Sequence, residues 1–124
     1  MEIIFIVGRI LFAAIFINSG IKHVTQAKNL GAYAKSMGIP APEFMTVLSG
    51  IMIFVGAVSI IFDFYMFYGS LLIVLFLIPT AFTMHPFWKF EEPMTKATQE
   101  AQFMKNVALA GAALMLMYFS YGTL

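Results

Sequence analysis

Residues 70–78 read Ser-Leu-Leu-Ile-Val-Leu-Phe-Leu-Ile, a run with no charge and no alternation of polar and apolar side chains. A strand of a membrane barrel alternates over about 10 residues, because one face meets lipid and the other the lumen. An unbroken apolar run instead suits a helix, whose backbone satisfies its own hydrogen bonds where lipid offers no partner. Working outward, the apolar character extends over residues 65–84, close to the roughly 20 residues that cross a bilayer core. Three more stretches of this kind stand at residues 3–21, 44–62 and 103–121. The expectation is an all-α membrane protein, a four-transmembrane-helix up-and-down bundle in a single membrane domain spanning 1–124.

Composition agrees. Of 124 residues, 61% are hydrophobic and 10% charged, whereas a soluble domain carries about a quarter charged residues to wet its surface. Seven Lys and Arg against six Asp and Glu give a net charge of +1, which provides no basic field for nucleic acid. With no cysteine, disulfides, thiolate metal sites and dithiol relays are excluded. The apolar run at the amino terminus is too long for a signal peptide's core, contains Arg9 and lacks a nearby Ala-x-Ala site, so it reads as a retained span.

The second and third spans are separated only by Asp63 and Phe64. One helix through both would far exceed the bilayer, so a helical hairpin with Asp63 at its tip is expected. Two longer polar segments connect the other spans. Residues 22–43 place Leu30, Tyr33, Ala34 and Met37 at helical spacing, which suits a short interfacial helix between spans one and two over residues 27–37. Pro42 and Glu43 then suit the first turn of the second span. Residues 85–102 open with His85-Pro86-Phe87-Trp88, and residues 95–102 read as a helical extension of span four. Lys22, Lys28, Lys35, Lys89, Lys96 and Lys105 all fall on the side of these two loops. The positive-inside rule puts that side in the cytoplasm and both termini outside, with Arg9 counting against.

Arg9 lies roughly 9 Å along the helix from Ile3, deep enough to demand a partner or snorkelling. Asp63, at the same membrane edge, is the first candidate for an ion pair, and Glu2, on nearly the same helical face, the second. Arg9, Ala13, Phe16, Gly20 and His23 share one face of span one, which is expected to face the bundle interior. A denser polar group gathers at the loop side. There, Ser19 and His23 end span one, Thr80, Thr83, His85 and Trp88 end span three, and Lys105 and Asn106 begin span four. Imidazoles exchange protons near neutral pH, and Lys with Asn can bind carbonyl or anionic oxygens. This is a kit for a quinone or an anionic headgroup. The same residue types also populate interfaces simply to anchor helices and meet lipid phosphates, the more economical reading of spacing alone. Two histidines without carboxylates or thiolates make a poor metal site, and none is expected.

Arg9, then Ser19-Gly20 and His23, then His85-Pro86-Phe87-Trp88, then Lys105-Asn106-Val107-Ala108-Leu109-Ala110-Gly111 together resemble the DoxX family of small bacterial membrane proteins. That family is named for a membrane subunit of a thiosulfate:quinone oxidoreductase, and most members have no established activity. The resemblance implies a four-helix bundle in a bacterial cytoplasmic membrane. Arg9 matches a recurrent position, as do His23, His85, Trp88, Lys105 and Asn106, which become the candidate ligand-binding residues. The structural ion pair of Arg9 and Asp63 is expected from membrane depth alone. Many relatives carry a glutamate in span two where this chain has Ile53, which removes that carboxylate's chemistry here. The implied role is an accessory subunit, rather than a standalone enzyme, that binds a quinone or similar lipid-soluble ligand for an oxidoreductase. No covalently bound cofactor is expected. Expected partners are membrane lipids, redox subunits and other copies of the chain. Two alternatives stay open: a non-catalytic scaffold or lipid-binding protein, and, weakest for want of a mid-span carboxylate, a small transporter.

Overall fold

The computed structural model describes residues 2–123. Five helices follow in order: α1 (Glu2–Thr25), α2 (Ala27–Ser36), α3 (Pro42–Phe62), α4 (Met66–Met84) and α5 (Pro93–Ser120). Short 3-10 turns cover Phe87–Lys89 and Tyr121–Thr123. Four of the helices, α1, α3, α4 and α5, are long and apolar enough to cross a membrane. They run up and down, and α2 is the short helix between the first two. Among the described residues there is no strand.

Two boundaries differ from the sequence expectation, each for a local reason. Helix α1 continues to Thr25, whose hydroxyl donates to the Ile21 carbonyl and quiets one terminal acceptor. Helix α5 starts at Pro93, two residues before the helical extension expected from residue 95. Pro at the first helical position needs no N–H partner. Glu92 before it caps the helix, accepting from the N–H groups of Met94 and Thr95 at 3.1 and 2.6 Å. The Thr95 hydroxyl and these N–H groups hold the Glu92 carboxyl below its ordinary value. At 1.5 Å per residue α5 is about 42 Å long, so its first turns stand beyond a hydrocarbon core of about 30 Å.

The α3–α4 turn occupies Asp63 to Tyr65, and it closes without glycine. Asp63 and Tyr65 both adopt left-handed conformations, with φ of 52° and 53°, a cost that surrounding bonds must offset. The Phe64 N–H donates to the Ser59 carbonyl at 3.0 Å. The Ser59 hydroxyl donates to the carbonyls of Phe64 at 2.6 Å and Tyr65 at 3.0 Å. Both polar ends of the turn are therefore tied back to α3. Arg9 joins from α1: its Nη1 lies 3.3 Å from Asp63 Oδ2, with the arginine side chain 10% exposed and the aspartate 55%. The guanidinium also sits over the Phe5 ring, 4.9 Å from its centre.

Backbone approach at glycine sets the packing of α3. A Cβ on Gly50 would stand 2.6 Å from His23 Cβ and 3.0 Å from the Gly20 carbonyl oxygen; one on Gly20 would stand 2.9 Å from the Gly50 carbonyl. On its other flank, a Cβ on Gly56 would stand 2.7 Å from the Gly69 carbonyl. Helix α3 is thus pressed against α1 and α4 at two glycine crossings, the kind of approach that replaces the hydrophobic effect in lipid. Helix α5 packs on the far side of α4. Ala13, Phe16, Ile53, Ile60, Ile73, Leu77 and Ala113 fill the core between the four helices. Ile53 is fully buried there.

Gly50→Ala should lower stability by about 1–3 kcal/mol, the cost of overpacking a contact that cannot give. Gly111→Ala, with nothing near its added methyl, should be neutral or stabilise by up to about 1 kcal/mol. Reversible unfolding in detergent micelles compares the two; equal losses would rule out the close crossing. Asp63→Arg and Arg9→Asp should each destabilise, and the double swap should recover about 1 kcal/mol. That value lies between those of exposed and buried pairs. A double-mutant cycle showing no coupling would leave the pair without energetic weight.

Candidate functional site

At the end of the bundle that carries α2, all five helices enclose a cavity of about 460 Å³, within the size range of small-molecule sites. Its existence follows from the packing. Helices α1 and α5 do not pack along their lengths; Phe5 and Phe119 meet near the opposite end, with ring centres 4.8 Å apart. The space left between α1 and α5 at the other end is the cavity. Its deeper wall is apolar, with Phe16, Met52, Phe76 and Leu109 among the lining side chains. Ser19, His23, Thr80, Thr83, His85, Lys105 and Asn106 supply polar groups to the same cavity.

Of the residues the sequence pointed to, His23, His85, Lys105 and Asn106 line this one space. Trp88 does not join them. It stacks among Phe82, Phe87 and Phe103, with ring centres 5.2 to 6.1 Å away, and is 48% exposed. That is the setting of an interfacial anchor. Arg9 and Asp63 lie at the other end of the bundle, about 20 Å along α1 from His23.

Both imidazoles are oriented by their Nδ1 atoms. His23 Nδ1 donates to the Ser19 carbonyl one turn back, at 2.6 Å, and its ring meets Phe76 edge-on at 5.7 Å. His85 ends α4 and donates from Nδ1 to Gln99 Oε1 at 2.8 Å. Lys105 donates to Gln102 Oε1, also at 2.8 Å. Asn106 is only 5% exposed, and its amide has no hydrogen-bond partner among the described residues. The side-chain atoms that are fully buried without a partner among the described residues are Arg9 Nε and Ser70 Oγ; the Asn106 amide is not one of them and stays accessible from the cavity it lines, where a polar ligand group can meet it. Over the cavity, the Tyr33 hydroxyl of α2 donates to the Met84 carbonyl at 2.8 Å, tying α2 to the end of α4.

Gln99 and Gln102 were not singled out as site residues by the sequence reading, and Tyr33 entered it only as part of the interfacial helix. The two glutamines fall at 99, 102 and then 106 with Asn106, spacing that puts all three on one face of a helix. No Asp or Glu lines the cavity among the described residues, and no group of three His, Asp or Glu side chains gathers there to hold a metal. The arrangement offers hydrogen bonds and one lysine charge at the mouth of an apolar hole. It can hold and orient an amphiphile.

The comparisons with known proteins agree on the family. The DoxX family model matches residues 4–86. Inner membrane protein YqjF of Escherichia coli (strain K12) is 30% identical over 111 residues, covering 90% of this chain and 79% of that protein. No solved structure matches. The family match takes in Arg9, His23, Asp63 and His85 and stops before Trp88, Lys105 and Asn106. With four membrane-length helices and these two matches, the chain belongs to the DoxX family and is an integral membrane protein.

Proposed function

We propose that this protein is a membrane accessory subunit that binds a quinone, or a lipid-soluble molecule of like shape, for an oxidoreductase system. One observation carries the reading. The buried, unpartnered Asn106 amide faces a cavity of about 460 Å³ that also holds His23, His85 and Lys105. A ring carrying oxygens would meet these polar groups, and an isoprenoid or alkyl tail would lie against Phe76 and Leu109 toward the unpacked side between α1 and α5. The residues hold no redox centre, so electrons would come from a partner subunit. The absence of a carboxylate among the described lining residues disfavours a proton-coupled transporter. Trp88, in its exposed aromatic cluster, supports a lipid-anchoring role for that one residue alone.

Purified protein should carry extractable quinone above the level of bulk lipid. Asn106→Leu and Lys105→Ala should each reduce it about tenfold, as expected for losing one ligand hydrogen bond with its buried partner left unpaired. Protein carrying phospholipid alone, with both variants indistinguishable from the parent, would return the cavity to the scaffold reading.

The likeness to an inner membrane protein supports a bacterial cytoplasmic membrane, and the lysines at the α2 end support placing that end in the cytoplasm. The cysteine-free chain makes the check direct. In intact spheroplasts, Phe64→Cys should react with a membrane-impermeant maleimide, and Lys28→Cys should react only after permeabilisation. The reverse pattern would invert the topology.

A further inference from the structure

The cavity's hydrogen-bonding polarity carries a sharper statement, resting on the reading just proposed. A neutral imidazole has one N–H and one bare nitrogen. At His23, Nδ1 faces a backbone carbonyl at 2.6 Å, and a carbonyl only accepts, so the proton is on Nδ1. At His85, Nδ1 faces Gln99 Oε1 at 2.8 Å, and with the amide oxygen on that side the proton sits on Nδ1 there as well. Both Nε2 atoms are therefore acceptors, and neither has a hydrogen-bond partner among the described residues. The same cavity contains donors, the Lys105 ammonium and the Asn106 amide.

We infer that the site selects the reduced, dihydroxy form of a ring-headed amphiphile over its oxidised quinone. A phenolic hydroxyl both donates and accepts, so it satisfies an Nε2 acceptor while taking a bond from Lys105 or Asn106. A quinone carbonyl only accepts. It satisfies the lysine and the amide but leaves both Nε2 atoms facing groups that cannot donate to them. A site built to bond a hydroxyl discriminates strongly against an analogue without it, because its own polar groups are left unpaired. His23 and His85 then read the redox state of the ligand, while Asn106 and Lys105 bind either form. Gln99 is a positioning residue, acting through His85.

Binding of a decyl-substituted benzoquinone and of its hydroquinone, kept anaerobic, to the protein in phospholipid nanodiscs tests this. Empty nanodiscs correct for partition into lipid. The hydroquinone should bind at least about tenfold more tightly, and the bound couple should then titrate about 30 mV more positive for each tenfold. His23→Phe keeps a ring against Phe76 and removes the acceptor, so the ratio should fall toward one. Gln99→Glu should also lower the ratio, because a carboxylate facing Nδ1 favours the doubly protonated ring, in which Nε2 donates. A Gln99 of merely structural importance would weaken both ligands alike. Equal affinity of the parent protein for the two forms overturns the inference and leaves the proposed function standing. Binding of neither form overturns both. The parent ratio decides even if a variant fails to fold.

Discussion

Helix α3 can approach its neighbours closely only where they offer no side chain, and the rest of the molecule depends on that. In lipid there is no water to expel, so helices associate through packing and polar contacts. Gly20 against Gly50 and Gly56 against Gly69 bring backbone to backbone on two flanks of one helix. With α1 and α4 both committed to α3, and α5 committed to the far side of α4, the first and last helices are left without a common seam. The cavity is the consequence. It is produced by how three helices close up, and the side chains then determine what it can hold. Gly50 links the two levels directly, since the side chain its missing Cβ would strike is that of His23.

Polar residues are divided between the two ends of the bundle, and each end solves a different problem. At the hairpin end a nearly buried guanidinium must be neutralised, and Asp63 stands within 3.3 Å of it from a turn strained at two non-glycine residues. Tyr65, Tyr68, Tyr118 and Tyr121 surround this end and are well exposed, as expected of an interfacial belt. At the α2 end the polar groups point inward, and the lysines spread over α2, the 3-10 turn and the start of α5. Asn106 among the inward groups is only 5% exposed. Anchoring there falls to Trp88 and its three phenylalanines, outside the cavity.

Much of this was legible because membrane depth is encoded in chain distance. Counting along four apolar runs places His23, His85 and Lys105 at one level and Arg9 and Asp63 at the other. It also puts Ala13, Phe16 and Gly20 on an interior face, and the structure buries all three. Depth does not give azimuth. Trp88 and His85 share a level but face different surroundings, because Pro86 and the 3-10 turn from Phe87 separate their directions. Helix partners were also hidden: small residues occur on several faces of α3 and α5, and only the assembled bundle shows that Gly50 is crowded while Gly111 has open space. The polar extension of α5 over residues 95–102 was legible, but its onset at Pro93 was not. A cap at Glu92 and contacts to His85 set that boundary, whereas hydropathy saw only the part in lipid.

Extending α5 beyond the apolar span has a chemical consequence. Only a helix that continues past the hydrocarbon can carry Gln99 back to the ring of His85, and with it fix which nitrogen bears the proton. On α1 the same task falls to the helix's own backbone, through the Ser19 carbonyl. Two unrelated local devices thus give two histidines the same tautomer around one cavity. Interfacial anchoring requires nothing of a histidine's tautomer, since water and phosphate accept either orientation. A dry ligand site does require it, because each buried nitrogen must meet its complement. The paired orientation, more than the presence of two histidines, is what the proposed ligand reading rests on.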